Sequence, residues 1–337
     1  MHSSPKFSWL AFFRLLRLPN VFTSWSDVLM GFIAAAGTLP RAPQDLPIVV
    51  FLLSATSGLY LGGMVLNDWF DFEEDRRVRA FRPLPSGAFS LRFAATLGFG
   101  LLALGVLCAT IAGLLAAKVN VDAMLSTTGL LPGAISIALA LAILAYNGGL
   151  KSTWIGPLAM GSCRLLNVLM AASIGSALAS ADGAPPSSEP GWLGITAPEA
   201  MLAAGIGVYI AGVTWFARRE EGQSPRAGLV WGLAVLLAGV VLLGLAPDLG
   251  DLPAGRIPTT QYRWLLLLVG AVVATRAVRA IGDPQPAKVQ ITVKVAILSL
   301  IWLDAAIALR VANLFEAMLI AALVAPALII GRAVYST

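Results

Sequence analysis

The chain has 337 residues, of which 58% are hydrophobic and only 12% charged, with a mean hydropathy of +0.83 and a formal net charge of +5. This excludes an ordinary soluble domain, and apolar runs of membrane-spanning length recur from end to end, so the fold class is all-α, a polytopic transmembrane bundle. The modest positive charge does not signal nucleic acid as a partner, because most of the lysines and arginines fall on alternate loops.

Taken in order, residues 1–13 set Phe7, Trp9, Phe12 and Phe13 beside Lys6 and Arg14, as an interfacial segment would. Spans are expected at about Leu18–Ala36, Pro47–Leu66, Leu91–Ala117, Leu130–Tyr146 and Trp154–Leu178. The Pro-, Ser- and Gly-rich residues 180–196 form a loop. Further spans follow at about Ala200–Ala217, Leu229–Ala246, Trp264–Ile281, Thr292–Leu309 and Phe315–Gly331, ten in all. Lys6, Arg14, Arg17, the arginines from Arg76 to Arg92, Lys151, Arg218, Arg219, Arg226, Arg279 and Lys288 all fall on one side. The positive-inside rule therefore places the N-terminus and the loops at 67–90 and 214–228 in the cytoplasm. One integral-membrane domain, 1–337, is expected. Cys108 and Cys163 lie in apolar runs without metal-ligand spacing, and the single histidine, His2, is terminal.

The most charged stretch is Gly62–Gly87, GGMVLNDWFDFEEDRRVRAFRPLPSG. On a helix, Asn67, Asp71 and Asp75 drift only ~80° around the axis and share a face, with Glu74 within ~20° of the same line. Carboxylates stacked in this way at a membrane surface call for a positive partner. The fitting one is Mg²⁺, held by one or two carboxylates together with substrate phosphates. Arg76, Arg77, Arg79 and Arg82 suit the phosphates. Thr214, Arg218 and Glu221 repeat the spacing of Asn67, Asp71 and Glu74, which suggests two pseudo-repeated four-helix halves around a central cavity.

Asn67, Asp71, Asp75, Arg82, Pro83, Ser86 and Gly87 match, position by position, the first aspartate-rich motif and its Arg-Pro-Leu-x-Ser-Gly turn in the UbiA superfamily of membrane prenyltransferases. Arg14–Gly31, with Arg17, Asn20 and Thr23, resembles that family's first-helix signature, and Tyr146–Lys151 its Tyr and Lys pair. The resemblance implies Mg²⁺ held by Asn67, Asp71 and Asp75 against a prenyl diphosphate, an apolar tunnel for the isoprenoid, and usually nine helices. The second motif departs from the pattern: GVTWFARREEGQ offers Thr214, Arg218, Glu220 and Glu221 where the family carries aspartates. This is similar to the divergent Ebo-cluster branch, and implies a bacterial plasma-membrane protein.

Arg164 and Asn167 lie about three turns inside a span, where an arginine should face a cavity or a partner. Lys294 and Asp304, within the ninth span, are expected to pair across helices. The resulting expectation is a Mg²⁺-dependent membrane prenyltransferase acting on an electron-rich, lipophilic or aromatic acceptor. Arg77, Arg82, Lys151 and Arg218 would clamp the diphosphate, and Glu220 or Glu221 would take the acceptor's proton. Asp71→Asn and Asp75→Asn are both expected to abolish transfer. The alternative is a non-catalytic protein that binds or carries an isoprenoid precursor.

Overall fold

The structure, a computed structural model, describes residues 8–118, 127–181, 194–218, 224–250, 252–253 and 255–335. Among them the regular elements are all helical. They are α1 (Trp9–Leu16), α2 (Val21–Ala36), α3 (Leu46–Phe70), α4 (Phe72–Val78), α5 (Leu91–Ala116), α6 (Thr127–Asn147) and α7 (Gly156–Ala181), then α8 (Ala197–Ala217), α9 (Arg226–Leu245), α10 (Thr259–Gly282), α11 (Pro286–Val311), α12 (Leu314–Ala322) and α13 (Val324–Tyr335). Several sites named from the sequence lie outside the described residues: Lys6, Phe7, most of the loop at 180–196, and Arg219, Glu220 and Glu221.

Nine helical segments among the described residues are long and apolar enough to cross a membrane, the last of them, Leu314–Val334, joining α12 and α13. Large apolar side chains such as Val50, Leu104, Leu141, Trp231, Leu268 and Ile329 stand exposed around the outside, as a lipid-facing surface requires. The expected first span is the exception. With 16 residues, α2 reaches only about 24 Å, short of a full hydrocarbon core. It tolerates this because nearly all its residues, including Val28, Met30, Phe32 and Ile33, are buried by protein. The tenth expected span is the least enclosed of the nine.

Two apolar clusters make the core, and α2 and α7 contribute to both. One face of α2 (Leu29, Met30, Ile33) packs with α8, α9, α10 and α11. Val28 and Phe32 face α3, α5 and α7 instead. Within the second cluster α3 and α5 approach at backbone distance. A Cβ placed on Gly62 would lie 2.9 Å from the carbonyl oxygen of Gly98, so only glycine allows the contact. On the other side, α8 starts with a capping box: the Thr196 hydroxyl accepts from the Glu199 N–H, and the Glu199 carboxylate accepts from the Thr196 N–H.

At the N-terminus, α1 buries Leu15 and Leu16 and leaves Trp9 exposed. Arg14 donates from its Nε to the Val334 carbonyl at 2.9 Å, tying α1 to α13. The helix ends at Arg17, whose φ of 47° is unusual for a residue with a side chain.

Candidate active site

The polar end of the bundle is built where α3, α6 and α7 meet. Asn147, at the end of α6, donates to the Gly63 carbonyl of α3 at 3.0 Å. The chain then reverses through Gly149, at φ 154°, a conformation that favours glycine, into a single turn at Leu150–Ser152. That reversal carries Lys151 back to α3. Its ammonium donates to the Asn67 amide oxygen at 3.3 Å and to the Asp71 carboxylate. Three of the residues singled out in the sequence, 84 positions apart at the extremes, are thus in contact. Lys151 and Asp71 are each about one-fifth exposed.

The expectation of one continuous acidic face needs correcting at Asp75. The helix tightens at Asp71 (φ −85°, ψ 0°), which separates α3 from α4. Asp75 is fully buried, and its two oxygens accept from Arg79 at 3.2 Å and Arg82 at 2.7 Å. Arg82 also lies 3.7 Å from Asp68, which takes a hydrogen bond from Arg17 at 3.0 Å. Asp68, Asp75, Arg17, Arg79 and Arg82 therefore form one charged network that fastens the Arg-Pro-Leu-x-Ser-Gly turn and the end of α1 to the end of α3. Asp75 and Arg82 already satisfy each other there. Glu74 and Arg77 are exposed, and Glu73 pairs with Arg76 at the surface.

Beside this end of the bundle lies a cavity of about 210 Å³, open on one side. Its walls are mostly apolar, with Leu59, Met64, Ile143, Met160, Ile210 and Val213 among them. The expected residues Asn20, Tyr146, Arg164 and Asn167 all line it, as does Thr214. Arg164 is held by Asp27 at 2.5 Å and by the Thr23 hydroxyl at 3.0 Å, and its guanidinium stands 5.9 Å over the Tyr60 ring. Asn167 accepts from Thr56 at 3.0 Å.

Asp304 approaches the Asp27 carboxyl across the α2–α11 contact, and neither of its oxygens receives a donor. Lys294 does not join it: that side chain is exposed, ten positions earlier on α11. Arg218, at the end of α8, is exposed and donates to the Thr153 carbonyl at 2.9 Å. Glu220 and Glu221 lie outside the described residues.

A model described as the UbiA prenyltransferase family matches residues 25–229, more than half of the chain. The chain belongs to the UbiA prenyltransferase family. Similar proteins include the digeranylgeranylglyceryl phosphate synthase of Metallosphaera sedula, 32% identical over 149 residues, 42% of this chain and 51% of that protein. The enzyme of the same name from Thermococcus kodakarensis is 37% identical over 101 residues, 29% of this chain and 34% of that one. The chain spans about half the length of the curated relatives it first matches. An apo UbiA homolog from Aeropyrum pernix shares the fold, with a TM-score of 0.56 at 21% identity, covering 85% of this chain and 96% of that one. A digeranylgeranylglyceryl phosphate synthase structure gives the same TM-score at 18% identity, covering 89% and 97%. None of these sets the Ebo-cluster branch apart.

The family-matched segment contains both polar helix ends, and its first motif divides by contact. Asn67 and Asp71 present two oxygens that converge on one positive group, the donor chemistry of a hard divalent cation. Asp75 instead accepts from two arginines, one on each oxygen. Among the described residues no group of three or more His, Cys, Asp or Glu side chains could hold a metal. Beyond Asn67 and Asp71, water or substrate oxygens are fitting ligands for the rest of such a cation's shell. Sequence reasoning missed Asp68 and Asp27. Asp27 carried a signal, being an acid inside an apolar run; Asp68 was masked by its neighbour Asn67.

Proposed function

We propose that this family member transfers an isoprenyl group from a prenyl diphosphate to an acceptor, with Mg²⁺. The carrying observation is the convergence of Asn67, Asp71 and Lys151 about one helical turn beyond Gly63 and Met64, which line an apolar cavity. Mg²⁺ at Asn67 and Asp71 would neutralise charge that grows on the diphosphate as the allylic C–O bond breaks. Lys151 gives a compact cation beside the same oxygens, and pre-placed charge of this kind stabilises a leaving group without reorganisation. Arg77 and Arg218, both exposed at this end, are outer clamps for the diphosphate. The cavity wall (Leu59, Met64, Ile143, Ile210) takes the isoprenoid and keeps water from the cation. Tyr146, Asn20, Arg164 and Asn167 give that wall its few polar points, where an acceptor can be oriented. Proton removal from the acceptor is assigned to Glu220 or Glu221 on sequence grounds alone.

The positive charges cluster at this end of the bundle, which supports a cytoplasmic mouth and N-terminus. The relatives described above are archaeal, so a bacterial plasma membrane rests on the sequence resemblance alone. Their names suggest starting an acceptor panel with geranylgeranylglyceryl phosphate, followed by aromatic hydroxy acids. The second reading is a carrier, favoured by a second motif that offers Thr214 and Arg218 where the family carries aspartates.

The test is binding of geranyl diphosphate to detergent-solubilised protein with and without Mg²⁺, followed by pyrophosphate release on adding each acceptor. Metal-dependent binding with release supports transfer. Binding without release across the panel supports the carrier, and no binding overturns both.

A further inference from the structure

Lys151 occupies the point where a cation held by Asn67 and Asp71 would sit. Of the two buried acids beside it, Asp75 is engaged by Arg79 and Arg82 through both oxygens, and Asp68 by Arg17 and Arg82 through its Oδ1. The groups in contact at the point itself are one carboxylate, one amide and one ammonium, with no net charge. They are drawn from two segments and meet in a site only one-fifth exposed. A divalent cation arriving alone would have to separate Lys151 from Asp71 and then lie beside the displaced ammonium. Like charges at such distances in a half-buried site repel strongly. A diphosphate changes the balance, because its oxygens give both the metal and the ammonium new partners.

We infer that Lys151 acts as a place-holder that makes metal binding conditional on the diphosphate. This rests on the prenyl-diphosphate reading above and adds an order to it. The metal enters with the diphosphate or after it, and Lys151 passes from Asp71 to a diphosphate oxygen. No covalent bond changes in this exchange. Lys151 thereby has a positioning role distinct from its charge in the transfer step. An empty protein would be protected from adventitious cations that could order the mouth without substrate.

The experiment is Mn²⁺ titration followed by electron paramagnetic resonance, on the full chain in detergent, with no acceptor present. In the wild type, Mn²⁺ alone should bind at least about tenfold more weakly than with geranyl thiolodiphosphate, a slowly reacting analogue. Lys151→Gln, which removes the ammonium, should bind Mn²⁺ alone about tenfold more tightly than the wild type, and Lys151→Arg should not. Asn67→Asp adds a carboxylate and should also admit Mn²⁺ alone, which keeps the test intact should Lys151→Gln fold poorly. Equal Mn²⁺ affinity with and without the analogue in the wild type would overturn the place-holder role. So would Lys151→Gln and Asn67→Asp proteins, both folded, that bind Mn²⁺ alone no more tightly than the wild type. If the wild type fails to bind Mn²⁺ even with the analogue, while the variants bind it alone, the fault lies with the prenyl-diphosphate reading and not with the place-holder.

Discussion

Two acidic clusters lie one helical turn apart at the mouth, and they differ in how their charge is matched. Asp71 has one ammonium and an amide beside it and is partly open to water. Asp68 and Asp75 are buried and face three arginines, which bind two helices and a turn into one block. The same motif thus contains a half partly open to water and a half fastened by arginines. Position in the motif does not separate them, since both aspartates fall at the expected spacing. The partners separate them: Asp75 has a guanidinium group on each oxygen, whereas Asp71 meets a single ammonium.

The comparison breaks most directly through its two central aspartates. Asp71→Asn should lower the rate of pyrophosphate release by about a hundredfold or more, the scale of losing one charge-stabilising group. Its melting temperature in detergent should stay close to that of the wild type. Asp75→Asn should act on the fold first, leaving Arg79 and Arg82 without their shared partner at a cost of roughly 3 kcal/mol. Activity per folded molecule should largely survive. Deep in the bundle, Arg164→Met leaves Asp27 facing Asp304 without a counter-charge, and a loss on the order of 3 kcal/mol is expected in a denaturation series.

Smaller effects sharpen the boundary between the clusters. Arg82→Lys keeps the charge but loses the planar reach to both Asp75 and Asp68, and should cost about 1–2 kcal/mol by thermal melting. Arg77→Ala touches neither cluster. It should raise the KM for geranyl diphosphate a few-fold at most and leave the melting temperature unchanged, as befits an exposed side chain.

Much of this could be read from the sequence because the relevant forces are local. Apolar runs forced helices of spanning length, and i, i+4 spacing placed Asn67 and Asp71 together on α3. The return of Lys151 to Asn67 depended on Gly149 and on the Asn147–Gly63 bond, which spacing cannot disclose. The partners of Asp75 were not legible, since one of them, Arg82, lies seven residues on in a turn. Asp27 and Arg164 are separated by 137 positions and meet only because α2 packs on α7. Lys294 and Asp304 looked alike as ions in an apolar run. The rotation of α11 exposes the first and buries the second. Likewise, α2 could be mistaken for an ordinary span, since its shortness matters only once its neighbours enclose it.

The most direct measurement compares Mg²⁺-dependent binding of geranyl diphosphate by Asp71→Asn and Asp75→Asn side by side, at a temperature where both remain folded. The account predicts that Asp75→Asn binds nearly as the wild type does, while Asp71→Asn loses the metal-dependent part of its affinity. Loss of binding in folded Asp75→Asn, with Asp71→Asn unaffected, would contradict it.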